Sequence, residues 1–98
     1  MEKRKVVFYG AGEHADLIFN SAKLKIVDRE LIAFVDKDPL KQGETTKGLP
    51  IISFLNVVEL YGENFDIYIT ANERSAPDII GFLIEQGVDI RRILNSIV

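Results

Sequence analysis

The sequence predicts an α/β domain in which a mainly parallel sheet is flanked by helices. Three observations predict it. Apolar periodicity switches repeatedly between strand-like and helix-like segments, in the order β-α-β-(β)-α-β-α-β. The first strand-like run ends directly in a glycine-rich turn that opens a helix-like run. The chain has 98 residues, 47% of them hydrophobic and 28% charged, which suits one modest core spanning 1–98. Alternation of this kind implies about four or five strands in three layers.

The elements follow in order. Lys5–Tyr9 is a short apolar run stopped by Gly10, as expected of a buried parallel strand. Ala15, Ile18 and Ala22, flanked by Leu17 and Leu24, have helical spacing over His14–Leu24. Leu31–Val35 is a second strand, ended by Asp36-Lys37-Asp38-Pro39, where Pro39 forces Asp38 toward extended geometry. Residues 37–48 are polar, with Gly43 and Gly48, and read as an exposed loop. Leu49–Ile52 is a short strand. Ser53 is a helix cap for Phe54–Tyr61, which Gly62 ends. Asp66–Thr70 is a third clear strand. Ser75, Pro77 and Asp78 together start a helix that ends at Gly87, by capping, first-turn proline and first-turn acid. Ile90–Leu94 is the expected edge strand.

Composition narrows the function classes. Twelve basic and fifteen acidic residues leave a net charge of −3, a poor basis for binding nucleic acid or an anionic membrane surface. Lys3-Arg4-Lys5 reads as a solvated lead-in to the first strand, and Arg91-Arg92 as solvated surface. The absence of cysteine excludes disulfides and thiolate metal sites. No apolar run approaches the ~18 residues of a membrane span, and Val6–Tyr9 is too short for a signal-peptide core. The expected compartment is cytoplasmic.

Gly10-Ala11-Gly12-Glu13-His14-Ala15 fits the G-x-G-x-x-G/A pattern in the right context. It lies between a strand and a helix, and Asp36 closes the next strand about 20 residues on. This is the ligand end of a Rossmann-like domain. Gly10 permits the tight turn, Gly12 lets a ligand reach the backbone, and Ala15 keeps the helix near the sheet. Free N–H groups at the helix start can receive an anion. A tight turn without a ligand is the plain alternative. Glu13 puts a carboxylate beside the expected pyrophosphate position, at a cost on the order of 1 kcal/mol unless it turns outward, which makes NAD less favoured. His14, the single histidine, can donate to a phosphate or sugar oxygen, or be bonded locally.

Asp36 is placed to read a ribose hydroxyl, or to cap its own loop. Asp38 is a turn residue. The stretch after the third strand faces the same crevice. There Asn72 can bond a base or sugar and Arg74 a phosphate, with ordinary loop chemistry as the alternative. No nucleophile–base pair or metal-ligand spacing is recognisable, so binding is the expected role.

Val7–Ala15, then Phe34-Val35-Asp36-Lys37-Asp38-Pro39, then Gly48-Leu49-Pro50-Ile51 resemble the N-terminal domain of bacterial sugar O- and N-acyltransferases, the sialic-acid O-acetyltransferases among them. The run also resembles the nucleotide-binding modules of polysaccharide-biosynthesis epimerases and dehydratases. The resemblance covers roughly residues 6–94. It implies a small domain that holds a sugar nucleotide, with Gly10, Gly12 and His14 on the phosphate–sugar side and Asp36 toward the nucleoside. In the acyltransferases a left-handed β-helix follows, binds acetyl-coenzyme A and carries the catalytic histidine. No hexapeptide repeat occurs in these 98 residues, so an acetyl-donor site is not expected within them. That family often has glycine where this chain has Glu13.

Three roles follow as expectations. The first is binding of a UDP-sugar or similar nucleotide, as the substrate-binding domain of a glycan- or polysaccharide-biosynthesis transferase. The second is an NAD-binding module of an oxidoreductase or epimerase; Asp36 argues against NADP because it repels a 2′-phosphate. The third is a non-catalytic regulatory or assembly domain that forms homo-oligomers through an edge strand or helix face.

Overall fold

A computed structural model describes residues 4–12, 29–71 and 74–95. The helix expected over His14–Leu24 lies outside them. The described elements are β1 (Arg4–Tyr9), β2 (Arg29–Val35), β3 (Thr45–Thr46), β4 (Leu49–Ile52), α1 (Phe54–Tyr61), β5 (Phe65–Ile69), α2 (Ala76–Glu85), a 3₁₀ turn (Ile90–Arg92) and β6 (Ile93–Asn95). They form one sheet in the order β3-β4-β2-β1-β5-β6. All pairings are parallel except β3 with β4. This is the Rossmann-like α/β fold that the alternation predicts, with six strands rather than four or five.

The extra strand comes from the segment read as loop. Thr45 and Thr46 pair antiparallel with Pro50 and Leu49 through a two-residue turn. Lys47 and Gly48 both have positive φ (53° and 79°), which matches the right-handed strand twist. Nearer the C-terminus, Ile90–Arg92 forms a 3₁₀ turn before the edge strand instead of belonging to it. Asp89 causes this by accepting from the Arg91 N–H at 2.9 Å and ending extended pairing there.

Strand alternation divides the core between the two sheet faces. Val7, Tyr9, Ala33, Val35, Ile67 and Ile69 pack with Phe54 and Val57 of α1 and Ala76 and Leu83 of α2. Val6, Phe8, Phe34, Ile51 and Tyr68 form the opposite cluster. There Phe8 meets Phe34 edge to face at 5.6 Å between centroids. Both described helices therefore cover one face. Ser53 caps α1 by accepting from the Asn56 N–H at 3.2 Å, and Gly62 ends the helix at φ 62°. Ser75 stands at the N-cap position of α2 but makes no side-chain cap hydrogen bond, because its backbone is already helical (φ −87°, ψ −25°).

The feet of the three central strands are tied by charge. Asp66 is buried, and its two carboxylate oxygens accept from Arg4 Nε at 2.8 Å and Arg29 Nε at 3.0 Å. Arg4, half exposed, is thus more than a solvated lead-in: it joins β1 to β5 while Arg29 joins β2 to the same carboxylate. Arg92 also departs from the solvated reading, since it donates to the Phe65 carbonyl at 3.0 Å and lies 4.8 Å over the Phe65 ring. Arg91 stays exposed, paired with Asp89. Among the described residues no helix is long and apolar enough to cross a membrane.

Candidate functional site

The order of the sheet fixes where a site can form. From β1 the chain moves outward through β2 to β4, then returns to the other side of β1 as β5. Ligands of such sheets bind outside the carboxyl ends of the strands where the order reverses. A cavity of about 390 Å³ opens at that end, lined by Tyr9, Gly10, Asp36, Lys37, Ala71, Ser75, Asp78, Ile79 and Phe82. That volume suits a nucleoside-sized ligand. Ile79 and Phe82, one turn apart on α2, give it an apolar wall, while the ends of β1 and β2 supply polar groups.

Gly10 is demanded by the protein itself. Its φ is +120°, and a Cβ there would stand 3.1 Å from the Ala71 backbone nitrogen and 3.3 Å from Thr70 Oγ1. Its N–H donates to the Val35 carbonyl at 2.7 Å. The buried Thr70 hydroxyl lies 2.8 Å from the Gly10 carbonyl and 3.1 Å from that of Tyr9. The turn is therefore clamped from β2 on one side and from the end of β5 on the other. Thr70 was legible in sequence as a strand end but not as this clamp.

Gly12 differs. It has no positive φ, and the nearest atom a Cβ would meet is Lys41 Nζ at 3.6 Å, an ordinary contact. Nothing among the described residues requires glycine there sterically.

Asp36 joins the site together. One carboxylate oxygen accepts from the Ala11 N–H at 3.1 Å and the other from the Asp38 N–H at 3.0 Å. The carboxylate thus caps its own loop and ties it to the glycine turn. Each oxygen keeps a second lone pair for a ligand hydroxyl. Gln42 Nε2 donates to the Asp36 carbonyl at 2.8 Å, and Lys41 Nζ lies 3.8 Å from Oδ2. Burial raises the pKa of the Tyr9 hydroxyl above its ordinary value, and the Asp36 charge raises it further.

Of the expected binding residues, Gly10 and Asp36 line the cavity, and Gly12 lies two residues beyond Gly10 at the same end of the sheet. Glu13, His14 and Asn72 lie outside the described residues. Arg74 is exposed in the turn before α2 and is not one of the described residues lining the cavity. Reading the sequence alone missed Lys37, Lys41, Ser75, Asp78 and Phe82 as members of this end of the molecule. Asp78 and Phe82 carried one signal, their four-residue spacing on a helix that starts next to the crevice.

The fold has known counterparts. UDP-D-quinovosamine 4-dehydrogenase from Vibrio fischeri is 25% identical, with a TM-score of 0.69 over 96% of this chain and 78% of that one. RSP, a Rex-family repressor, is 17% identical with a TM-score of 0.65 over 89% of this chain; the match spans 43% of the repressor. The acetyltransferase domain of PglB from Neisseria gonorrhoeae FA1090 is 24% identical, with a TM-score of 0.58 over 89% of this chain and 42% of that domain. No curated protein matches by sequence. The profile of one family, described as C2185-like, N-terminal, matches residues 2–94, nearly the whole chain, and this protein belongs to that family.

Proposed function

We propose that the crevice holds a nucleoside diphosphate linked to a sugar, and that the domain presents it as the substrate-binding part of a transferase of glycan or polysaccharide synthesis. The carrying observation is the Asp36 carboxylate at the cavity wall. It is held in place by the Ala11 and Asp38 N–H groups, with a lone pair on each oxygen left for a ribose diol. The apolar wall of Ile79 and Phe82 gives a base something to pack on, and the glycine turn that begins at Gly10 lies at the same end for the phosphates. Likeness to a dehydrogenase named for a UDP-sugar supports the ligand class. Such a ligand agrees with a cytoplasmic location.

The test is a thermal-shift and calorimetric panel of UDP, UDP-sugars, CMP-sugars and NADH. A ligand at 100-fold above its dissociation constant adds about 2.7 kcal/mol. In a domain of this size that raises Tm by roughly 10 °C or more. Binding of NADH alone would favour the dinucleotide reading, which the glycine spacing and Asp36 also serve. Silence across the panel at millimolar concentration would leave neither standing.

A further inference from the structure

The segment after β2 is polar in sequence, yet it places an ammonium group over the glycine turn. Asp38 organises the segment. Its carbonyl accepts from the Lys41 N–H at 3.0 Å and the Gln42 N–H at 3.2 Å, and its carboxylate accepts from the Leu40 N–H at 3.0 Å. Gln42 ties back to the Asp36 carbonyl, and the Gly43 N–H donates to the Ile51 carbonyl at 2.9 Å. The Lys41 backbone is thereby fixed on both sides. Its half-exposed side chain brings Nζ to 3.8 Å from Asp36 Oδ2 and to 3.6 Å from where a Gly12 Cβ would stand.

Two features make this more than a surface ion pair. At 3.8 Å the contact with Asp36 is too long for a hydrogen bond, so it does not use up an ammonium donor. And among the described residues Lys41 Nζ is the one atom that comes within 4 Å of where a Gly12 Cβ would stand. A diphosphate seated on the glycine turn would lie within reach of the Lys41 ammonium. Ribose hydroxyls donating to Asp36 would compete with the ammonium for the carboxylate and release it toward the phosphates.

We propose that Lys41 is the phosphate-reading residue of this site: it pairs loosely with Asp36 in the free protein and contacts the diphosphate of the bound nucleotide, so that the site selects nucleoside diphosphates over nucleosides. This deepens the nucleotide reading above and rests on it. It also assigns the main anion contact to a loop side chain, in addition to any backbone N–H groups of the turn.

The experiment compares each of four nucleosides (adenosine, guanosine, cytidine, uridine) with its 5′-diphosphate by isothermal titration calorimetry. It uses the wild type, Lys41→Gln and Lys41→Arg, with Lys47→Asn as a charge-matched control in the β3–β4 turn. For the diphosphate that binds, Lys41→Gln should weaken affinity about tenfold, the worth of one hydrogen bond to a charged group. The matching nucleoside should be unaffected. Lys41→Arg and Lys47→Asn should stay near wild type, and Lys41→Gln should flatten the salt dependence of diphosphate binding. Equal weakening of nucleoside and diphosphate, or an undiminished diphosphate preference in Lys41→Gln, would overturn the assignment while leaving the nucleotide reading intact. Failure of the wild type to bind any of the eight compounds would remove both.

Discussion

Replacing Gly10 with alanine separates the two glycines of the turn. At φ +120° an L-residue is strained, at a cost of about 1–3 kcal/mol. The added Cβ would also press on the Ala71 backbone nitrogen at 3.1 Å and Thr70 Oγ1 at 3.3 Å. Neither neighbour yields easily: one is main chain, and the other is held between the carbonyls of Tyr9 and Gly10. Overpacking of this kind adds roughly 1–3 kcal/mol, and the lower entropy of an unfolded alanine returns about 0.4–1 kcal/mol. The net loss should be about 3 kcal/mol, a drop in Tm of roughly 10–20 °C for a domain this small. Among the described residues Gly12→Ala faces only a flexible ammonium at 3.6 Å, so stability should stay within about 1 kcal/mol while nucleotide affinity falls. Urea and thermal unfolding followed by circular dichroism measure the first effect, and calorimetric titration the second. Gly10→Ala with wild-type stability, or Gly12→Ala destabilised more than Gly10→Ala, would refute the division of labour.

Other outcomes follow from the same geometry. Asp66→Ala should cost about 2 kcal/mol in urea unfolding, less than a fully buried pair because Arg4 and Arg29 are partly solvated, and should leave nucleotide affinity unchanged. Wild-type stability in that variant would show that the strand feet are not held by charge. Tyr9 should ionise above its ordinary pH in ultraviolet titration, and Asp36→Asn should lower its midpoint while burial keeps it above the ordinary value. Because the raised pKa belongs to the folded state, this group favours folding fully below pH 10 and loses that contribution as the pH rises from there through the folded value. A midpoint unmoved by Asp36→Asn would contradict their proximity. The Asp89 carboxyl, held by the Arg91 side chain and N–H, should titrate near 2 by carbon-detected NMR, and its support for folding should be lost only as the pH falls from 3.8 through about 2. An ordinary midpoint would mean that the 3₁₀ turn is not capped in this way.

What was legible from sequence was whatever local chemistry decides. Ser53 and Gly62 bracket α1 because both act within one helical turn, and Gly10 and Asp36 mark the ends of two adjacent strands by motif spacing. What escaped depends on distant partners or weak signals. Arg4, Arg29 and Asp66 are far apart in the chain and meet only because parallel pairing aligns their strand feet. The β3 hairpin was hidden because Lys47–Gly48 lacks the Asn-Gly or Asp-Gly signature and the threonine strand has only two residues. Ser75 looked like a cap by residue type, but its helical backbone prevents it. Lys41 was one lysine in a polar stretch until the Asp38 turn aimed it at Gly12. Glu13, His14 and Asn72 remain expectations from sequence alone.

The central claim is that this end of the sheet binds a nucleotide. The most direct measurement is a ¹⁵N–¹H correlation titration of the domain with UDP, UDP-N-acetylglucosamine, GDP-mannose and NADH. A nucleoside diphosphate or its sugar should shift the amides of Gly10, Ala11 and Gly12, of Asp36, Lys37, Asp38, Leu40 and Lys41, of Ala71, and of Ala76, Asp78 and Ile79 in the first turn of α2. Those of Arg4, Arg29 and Asp66 should not shift. No saturable shift at millimolar ligand, or shifts gathered at the Asp66 end, would contradict the claim.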